Sequence, residues 1–487
     1  MKSKNYIYWA LFAMILIGSA VYCFYNLNDG VIFDWDESRH GVNAFEMIQS
    51  GDYLVHTYAG DVDYWNAKPP LSMWQIALGY KLFGYNTLGL RFFSAFYFVL
   101  IVLISMLFLK KHAGAIASIS GGMIFAAVMP RFFHLFRTGD ADAQTFFLIF
   151  LGCLSLFYAY YKSPKYLLGV GFCTSLVFLS KGMHCITLLL MFAFSLLLLR
   201  KVRKFKFFKE ICLLYLPTLI LPALAWGIAR YNYDGFDFLS RMVFFDVVSR
   251  VRWAIEGHVG GYEFYFVGMH GVLGMVLFYG LLLVSLTGVV IGITKKNPLF
   301  VTVFGLVVLF PLVLFNIANT KIIWYMYPIM IGLTYLTAFA LQQLLSFSKS
   351  KRIPGIVLAV VIASGLILAP TTFNTAAPDA AHNSSENIFA LIPDDFNAEE
   401  MTYYTAGANG RGSWPSQSHT LYACFAGLKF ADGGLNEFYK VYKEQPVLLV
   451  VEAAPDQKTT ADRLELRLLA QNNKYRLYTW DYRGINQ

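Results

Sequence analysis

The sequence predicts an all-α membrane protein with a small α/β domain outside the bilayer. Of its 487 residues, 57% are hydrophobic and 14% are charged, whereas soluble domains carry roughly 25% charged residues. The apolar residues fall into long runs separated by short polar segments, and the chain after residue 371 is more polar. This composition excludes a soluble globular protein, a disordered chain and a disulfide scaffold.

The apolar runs predict the membrane helices. A bilayer core of about 30 Å needs roughly 20 apolar residues per helix, and about eleven runs approach that length. We predict spans over residues 6–26, 88–109, 113–130, 143–161, 166–180, 183–199, 211–229, 265–293, 298–317, 322–345 and 354–371. No small-residue cleavage site follows the first run, which is therefore interpreted as an uncleaved span. Residues 1–371 are predicted to form the membrane domain and residues 372–487 an extracytoplasmic α/β domain.

Basic residues occupy alternate loops, and this sets the predicted orientation. With eleven spans, one side receives Lys2 and Lys4, Lys110 and Lys111, Lys162 and Lys165, residues 200–209, Lys295 and Lys296, and Lys349, Lys351 and Arg352. The positive-inside rule makes that side cytoplasmic. Loops 27–87 and 230–264 and the tail then face outward. The net charge of +9 is thus a topology signal and does not indicate nucleic-acid binding.

The first outer loop, residues 27–87, combines acidic residues with two amphipathic stretches. Its acids are Asp29, Asp34, Asp36, Glu37, Glu46, Asp52, Asp61 and Asp63. We predict interfacial helices over 38–50 and over 69–83, because proline suits a helix start and Trp74 suits a membrane interface. In the tail, 447–452 and 475–480 are predicted strands and 461–471 a predicted helix.

The segment from Asp34 to His40 opens this loop. Asp34 and Glu37 have capping-box spacing, which favours a capping role for Asp34. Asp36 and Arg39 are one helical turn apart and can share a face. A carboxylate beside a guanidinium at a membrane surface suits proton abstraction next to an anionic group.

Two further segments place charge at the outer membrane edge. Lys68 precedes Pro69-Pro70, so it either reaches toward lipid or holds a phosphate at the following helix N-terminus. Asp140 is well placed to cap the fourth span. Asp142 then lies just inside the membrane edge, where ionisable residues are costly and usually functional.

Weaker candidates lie farther along the chain. Glu256 and His258 form a weak metal signal, since a metal site needs more ligands. Lys321 and Tyr325 resemble an aromatic belt with a basic anchor, and Lys181 resembles a simple anchor. The six cysteines form no CxxC pair, so no metal knuckle or disulfide framework is implied. No Ser/His/Asp arrangement, P-loop or Rossmann glycine pattern occurs.

Taken in order, these segments resemble the GT-C type of glycosyltransferases that use lipid-linked sugars. The branch they resemble contains the lipid A aminoarabinose transferase and the protein O-mannosyltransferases. The matching segments are Asp36-Glu-Ser-Arg39, residues 44–55, Lys68-Pro-Pro-Leu-Ser-Met-Trp74, Lys81-Leu-Phe-Gly84, residues 137–142, Leu179-Ser-Lys-Gly182 and Tyr325-Met-Tyr-Pro328. The likeness is dense over 30–185 and thinner to 345.

The resemblance implies the GT-C architecture and a polyprenyl-phosphate sugar as donor. It implies inverting displacement at the anomeric carbon, with Asp36 and Asp142 as catalytic residues and with Arg39 and Lys68 on the donor phosphate. Further substrate-binding residues would be Glu37, Arg137, Asp140, His258, Lys321 and Tyr325. The acceptor would be lipid A, another glycan or a protein, on the outer side of a bacterial inner membrane.

The acceptor decides the role of Asp36. A hydroxyl acceptor makes Asp36 a general base, whereas a phosphate acceptor needs no base and leaves Asp36 to orient groups or stabilise positive charge on the sugar. In the aminoarabinose branch a glutamate before the lysine helps to bind a metal. Here that position is Ala67, which argues against a tightly held zinc; a divalent metal is the alternative, and no other cofactor is expected.

Two other functions remain open at this point. A transporter or flippase of a lipid-linked or small anionic substrate fits eleven spans, and a lipid-binding scaffold fits Lys68 and Arg39. Transporters often show inverted repeats and midplane charges, whereas these charges cluster at the outer rim. Loss of sugar transfer on mutation of Asp36 favours the enzyme, and loss of substrate flux alone favours the transporter.

Overall fold

The structure, a computed structural model, describes residues 2–29, 31–132, 135–203, 206–347, 387–393, 395–398, 401–406, 417–431, 434–452 and 466–480. The chain divides into two compact units. The helical unit comprises Met1–Tyr25, Ala67–Ser72 and Phe93–Ala376, and the sheet unit comprises Asn26–Asn66, Met73–Phe92 and Ala377–Gln487. Most of the loop that we expected in the membrane domain therefore folds with the tail.

The described residues include eight helical stretches long and apolar enough to cross a membrane. They are Tyr6–Phe24, Thr87–His112, Ala141–Tyr161, Pro164–Leu198, Phe208–Asp234, Met275–Thr294, Pro298–Ile317 and Ile329–Ser346. The shorter apolar helices Ala115–Arg131 and Phe264–Leu273 lie where further spans were predicted. The predicted span 354–371 lies outside the described residues. The membrane-protein class is thus confirmed, while the number of spans stays a prediction.

Three helix boundaries differ from the predicted spans. The run 265–293 forms two helices, Phe264–Leu273 and Met275–Thr294, because Gly274 between them has φ 84°. Helices Leu167–Lys181 and Ile186–Leu198 meet through a 3-10 turn at Gly182–Cys185. The run from 322 begins as a 3-10 turn, and its α-helix starts at Ile329, directly after Pro328, which has no backbone N–H to donate and therefore suits a helix start.

The sheet unit contains a five-stranded sheet and a small hairpin. The hairpin pairs β1 (Thr57–Tyr58) with β2 (Asp61–Val62). The sheet strands are β3 (Thr402–Ala406), β4 (Lys429–Phe430), β5 (Val447–Glu452), β6 (Arg467–Gln471) and β7 (Tyr475–Thr479). Their order is β4-β3-β5-β7-β6, with β3 parallel to β4 and β5, and β7 antiparallel to β5 and β6.

The predicted strands β5 and β7 are confirmed, but the predicted helix 461–471 is wrong over its described part. Residues 467–471 form β6, which pairs with β7. The Asn472 side chain accepts hydrogen bonds from the backbone N–H groups of Lys474 and Tyr475. That turn favours a hairpin, and the hairpin overrides the local helical pattern.

The sheet unit has apolar cores on both sides of its sheet. The first core includes buried residues of helices Asp36–Ser50, Leu71–Phe83 and Gln417–Phe425, and the second includes helix Gly434–Val441. The two interfacial helices predicted in loop 27–87 are confirmed as helices. Gly41 shows how closely helix Asp36–Ser50 packs against helix Gln417–Phe425, because an added Cβ would lie 2.4 Å from Leu421 Cδ2.

Candidate active site

The Asp36 helix of the sheet unit begins after a strained residue. Trp35 has φ 71° and ψ −116°, and no side chain caps the helix. The Asp34 carboxylate instead accepts a hydrogen bond of 2.8 Å from the Ser418 N–H, so the capping interpretation of Asp34 is wrong. Such backbone strain costs about 1–3 kcal/mol and concentrates at functional sites. Asp36 is half-buried in the first turn, where the helix dipole stabilises a carboxylate.

Glu37 is wholly buried and paired with Arg91, which sequence analysis missed. Arg91 donates at 2.6 and 2.8 Å to the two carboxylate oxygens, with side-chain exposures of 3% and 0%. Arg91 also donates to the Val31 carbonyl, and the Phe33 N–H donates to Glu37 at 2.9 Å. We therefore assign Glu37 to holding the segment that leads into the helix, whereas its predicted substrate contact stays a prediction.

Arg39 forms the centre of a second buried group. Its Nε and Nη2 donate to the Asp63 oxygens at 2.7 Å each. Its guanidinium lies between the rings of Tyr58 and Trp65, 4.3 and 4.5 Å from their centroids. The Arg39 side chain remains 14% exposed. Contact of Arg39 with a donor phosphate stays a prediction, because two of its N–H groups already serve Asp63.

Asp63 is one of the eight acids of loop 27–87, and its pairing with Arg39 was not predicted from the sequence. Its carboxylate also accepts from the Trp65 and Asn66 N–H groups at 3.1 and 3.0 Å and from Asn43 Nδ2 at 3.1 Å. Burial alone would raise the pKa of Asp63. The hydrogen bonds and charge of Arg39 outweigh that effect and hold the pKa below its ordinary value.

Asp140 and Asp142 open helix Ala141–Tyr161 of the helical unit. The predicted cap is confirmed, because Asp140 is the N-cap and its carboxylate accepts from the Ala141 N–H at 2.6 Å. Asp142 forms an ion pair with Lys181, and each side chain is 6% exposed. Lys181 ends its helix immediately before Gly182, whose φ is 57°. The turn thus holds the ammonium against Asp142.

Tyr325 lies at the centre of what we call the Tyr325 cluster: Tyr325, Lys68, Asp142, Lys181 and Arg250. Lys181 Nζ lies 5.7 Å from its ring centroid. Burial raises the pKa of the Tyr325 phenol, the charges of Arg250 and Lys68 oppose that rise, and Asp142 adds to it. Sequence analysis singled out Lys68, Asp142 and Tyr325, took Lys181 for a simple anchor and missed Arg250.

Arg250 belongs to the predicted outer loop 230–264. Its Nε donates to Asp246 at 3.2 Å, and its Nη2 lies 3.5 Å from a Glu256 carboxylate oxygen. Its Nη1 is buried, and no acceptor among the described residues reaches it. An unpaired buried N–H of a cation is unfavourable, so this side chain is suited to receive an anion.

Two predicted substrate-binding cations, Arg137 and Lys321, bond helix ends, and their contact with substrate stays a prediction. Arg137 donates at 2.7 and 3.1 Å to the Tyr22 and Cys23 carbonyls, near the end of helix Lys2–Phe24. Lys321 donates at 3.2 and 2.7 Å to the carbonyls of Phe315 and Asn316, and burial lowers its pKa. Cations stabilise helix C-terminal carbonyls, so these bonds give both side chains a structural role.

His258 contributes through its backbone. Its carbonyl accepts a hydrogen bond of 3.0 Å from the Lys321 N–H, and the residue is half-buried. Over the described ranges, no three His, Cys, Asp or Glu side chains are grouped so that they could hold a metal ion. The absence of a bound metal stays a prediction. The substrate contact predicted for His258 also stays a prediction.

Comparisons with known sequences support this reading of the motifs. Residues 67–226, about a third of the chain, match a family model described as dolichyl-phosphate-mannose-protein mannosyltransferase. An uncharacterized protein of Aquifex aeolicus is 29% identical over 233 residues, which cover 47% of this chain and 45% of that protein. The undecaprenyl phosphate-alpha-4-amino-4-deoxy-L-arabinose arabinosyl transferase of Pseudomonas aeruginosa is 24% identical over 354 residues, covering 70% and 62%. The chain spans about half the length of the first curated relatives it matches.

Solved structures extend the likeness to the fold. ArnT from Cupriavidus metallidurans in the apo state superposes with a TM-score of 0.70 at 16% identity, covering 98% of both chains. The oligosaccharyltransferase of Archaeoglobus fulgidus gives a TM-score of 0.52 at 12% identity, covering 92% of this chain and 70% of that one. The architecture expected from the resemblance is thus confirmed.

Proposed function

We propose, on the premise that this chain is a glycosyltransferase of the GT-C type, that it moves a sugar from a polyprenyl-phosphate donor to an acceptor at the outer face of a bacterial inner membrane. The Tyr325 cluster carries the proposal. It gathers three cations beside the ends of helices long enough to span a membrane. A lipid phosphate lies at the membrane surface, level with the ends of such helices, and its apolar chain lies in the bilayer.

We assign the donor phosphate to Lys68 and Arg250. Lys68 lies before the helix that starts at Leu71, so its ammonium and the helix N-terminus favour the same anion. Arg250 supplies the Nη1 hydrogen that no described acceptor takes. Both charges act on the Tyr325 phenol, which supports a common phosphate. ArnT from Cupriavidus metallidurans, which has a similar fold, was also solved with undecaprenyl phosphate bound, and this supports the lipid class.

The reaction needs charge stabilisation at the leaving group. The bond between the anomeric carbon and the phosphate oxygen breaks, and the freed polyprenyl phosphate gains negative charge, which Lys68 and Arg250 stabilise. The acceptor oxygen attacks the opposite face of that carbon, so the configuration inverts. If the acceptor is a hydroxyl, its proton passes to Asp36, whose role rests on the resemblance. Asp142 is proposed to fix Lys181 within the same cluster.

The acceptor and sugar are proposed by class only. The Pseudomonas aeruginosa relative is named for an undecaprenyl phosphate-alpha-4-amino-4-deoxy-L-arabinose donor. Because the motifs resemble those of the lipid A aminoarabinose transferase branch, a lipid A or similar glycan acceptor is our first choice, and a protein is the second. The sugar is a pentose or a hexose, either of which presents hydroxyl or amino groups.

The test uses full-length protein in detergent, polyprenyl-phosphate sugars and a membrane extract of lipids and glycans. Release of polyprenyl phosphate and the mass gained by an acceptor are followed by mass spectrometry. We expect Asp36→Asn to abolish release, and Lys68→Ala or Arg250→Ala to lower kcat/KM by about 100-fold, as charge-stabilising contacts do. Lys81→Ala removes an exposed lysine 4.8 Å from the Tyr53 ring centroid and serves as the control. Absence of release with every donor, from protein that is folded, would contradict the proposal.

A further inference from the structure

The imidazole of His184 is a polar group that the proposed reaction has not used. It lies in the 3-10 turn Gly182–Cys185. Its ring meets that of Tyr325 edge-on at 4.8 Å and tilts against that of Phe315 at 5.3 Å. Its Nδ1 is 3.1 Å from the Lys181 carbonyl oxygen. Its Nε2 is buried, and no partner within the described part of the chain reaches it.

The Lys181 carbonyl decides which ring nitrogen carries the proton. A carbonyl oxygen can only accept, so the Nδ1 of His184 must donate and therefore holds the hydrogen. In a neutral ring Nε2 then carries a lone pair and accepts a hydrogen bond. A second proton would place a charged, unpaired N–H inside the protein, and burying an unpaired charge costs far more than burying a neutral acceptor. His184 therefore presents a buried acceptor that no described donor reaches.

A buried acceptor without a donor is uncommon and destabilises the folded protein, so it requires an explanation. The phosphate is not the missing partner, because its oxygens also carry lone pairs. The partner must bring an O–H or N–H group. In a polyprenyl-phosphate sugar, the group adjoining the phosphate that carries such hydrogens is the sugar ring.

We propose that Nε2 of His184 accepts a hydrogen bond from a hydroxyl or amino group of the donor sugar and so helps to select that sugar. This inference rests on the proposed function, since it takes Lys68 and Arg250 as the phosphate ligands. Contacts with the rings of Tyr325 and Phe315 and the hydrogen bond to the Lys181 carbonyl fix the His184 ring before substrate binds. It is thus a positioning contact that requires no rearrangement of the side chain.

Three variants separate hydrogen bonding from packing. His184→Phe keeps an aromatic ring against Tyr325 but removes the acceptor. His184→Gln places an amide oxygen close to the position of Nε2 and restores the acceptor. His112→Phe is the matched control, because His112 also lies among aromatic rings and bonds Tyr158 at 3.0 Å, outside the Tyr325 cluster.

The assay compares each variant on the full donor and on donors that lack one hydroxyl or amino group. We expect His184→Phe to lower kcat/KM for the full donor by about tenfold, the scale of one hydrogen bond, and to leave one deoxy donor unaffected. That donor identifies the group that His184 contacts, and the series distinguishes hydroxyl from amino. His184→Gln should recover most of the activity. Equal losses on every donor, or no recovery with glutamine in folded protein, would mean that His184 serves packing alone.

A second readout does not depend on turnover. Nitrogen-15 NMR of histidine-labelled protein, assigned with His184→Phe, should show a protonated Nδ1 and an unprotonated Nε2. Addition of the donor should shift the Nε2 signal, whereas polyprenyl phosphate without sugar should leave it in place. A protonated Nε2, or equal shifts with both ligands, would overturn the inference. Wild-type protein that shows the Nε2 shift but releases no lipid phosphate would contradict the proposed function and leave this contact standing.

Discussion

Replacing Arg39 by methionine tests the buried group around Asp63 most directly. The variant leaves a carboxylate of 0% side-chain exposure without two hydrogen bonds of 2.7 Å. Breaking a buried pair in this way costs about 3–5 kcal/mol. Three donors remain on Asp63, from Trp65, Asn66 and Asn43, so we expect the lower end, about 3 kcal/mol.

Cys424 offers a local probe of that loss. It is a free, buried cysteine in the core of the sheet unit. Thiol labelling of its peptide, followed by mass spectrometry, measures how often the unit opens. A loss of about 3 kcal/mol raises the labelling rate roughly 100-fold, since each 1.4 kcal/mol is a factor of ten. Lys81→Met removes a cation from an exposed site and should change the rate less than about fivefold.

The stability difference between the wild type and Arg39→Met should change with pH, in a direction set by the pKa of Asp63. In the wild type the pKa of Asp63 is lowered, so its stabilisation is present above the unfolded pKa and is lost as the pH falls through the folded pKa. In Arg39→Met, burial acts with less opposition and raises the pKa of Asp63. The variant then gains relative stability as the pH falls, because protonation removes the unpaired charge. A labelling difference that is small at pH 7, or that does not narrow toward pH 4, would refute the reasoning.

Two further predictions concern packing and charge. Asp142→Asn leaves Lys181 buried without its ion-pair partner and should destabilise the folded protein by about 3–5 kcal/mol. Size-exclusion chromatography should show this loss as a lower yield of folded protein. Adding Lys181→Met to Asp142→Asn should restore folding without restoring transfer. Gly41→Ala places a methyl 2.4 Å from Leu421 and should destabilise the sheet unit by about 1–3 kcal/mol in the Cys424 assay. Gly280→Ala meets no atom within 4 Å and should be neutral; equal effects of the two alanines would contradict this account.

Local patterns in the sequence predicted the parts of the fold that depend on neighbours in the chain. The Asp140 cap follows from an acidic residue directly before an apolar run, and β5 and β7 follow from β-branched and aromatic residues between turn signals. The interfacial helices follow from their amphipathic spacing. These patterns are complete within about ten residues, so no tertiary contact is needed to recognise them.

Partners far apart in the chain were not predictable in this way. Eight acids in one loop gave no reason to prefer Asp63 for Arg39, or Arg91 for Glu37, because spacing shows which residues share a helix face and not which loop returns to it. Asp34 failed as a cap for a related reason. Its predicted role needs an ordinary turn at Trp35, whereas the positive φ there directs the Asp34 carboxylate to Ser418.

The distribution of cations also refines which residues belong to the site. Arg137 and Lys321 each donate two hydrogen bonds to helix carbonyls, and a phosphate contact of either side chain stays a prediction. Arg250 keeps a buried N–H that no described acceptor takes, and His184 keeps a buried lone pair that no described donor reaches. Both act around Tyr325. A sugar phosphate carries the complementary pair, an anionic oxygen and a hydroxyl or amino hydrogen, and one bound molecule would therefore satisfy both atoms at once.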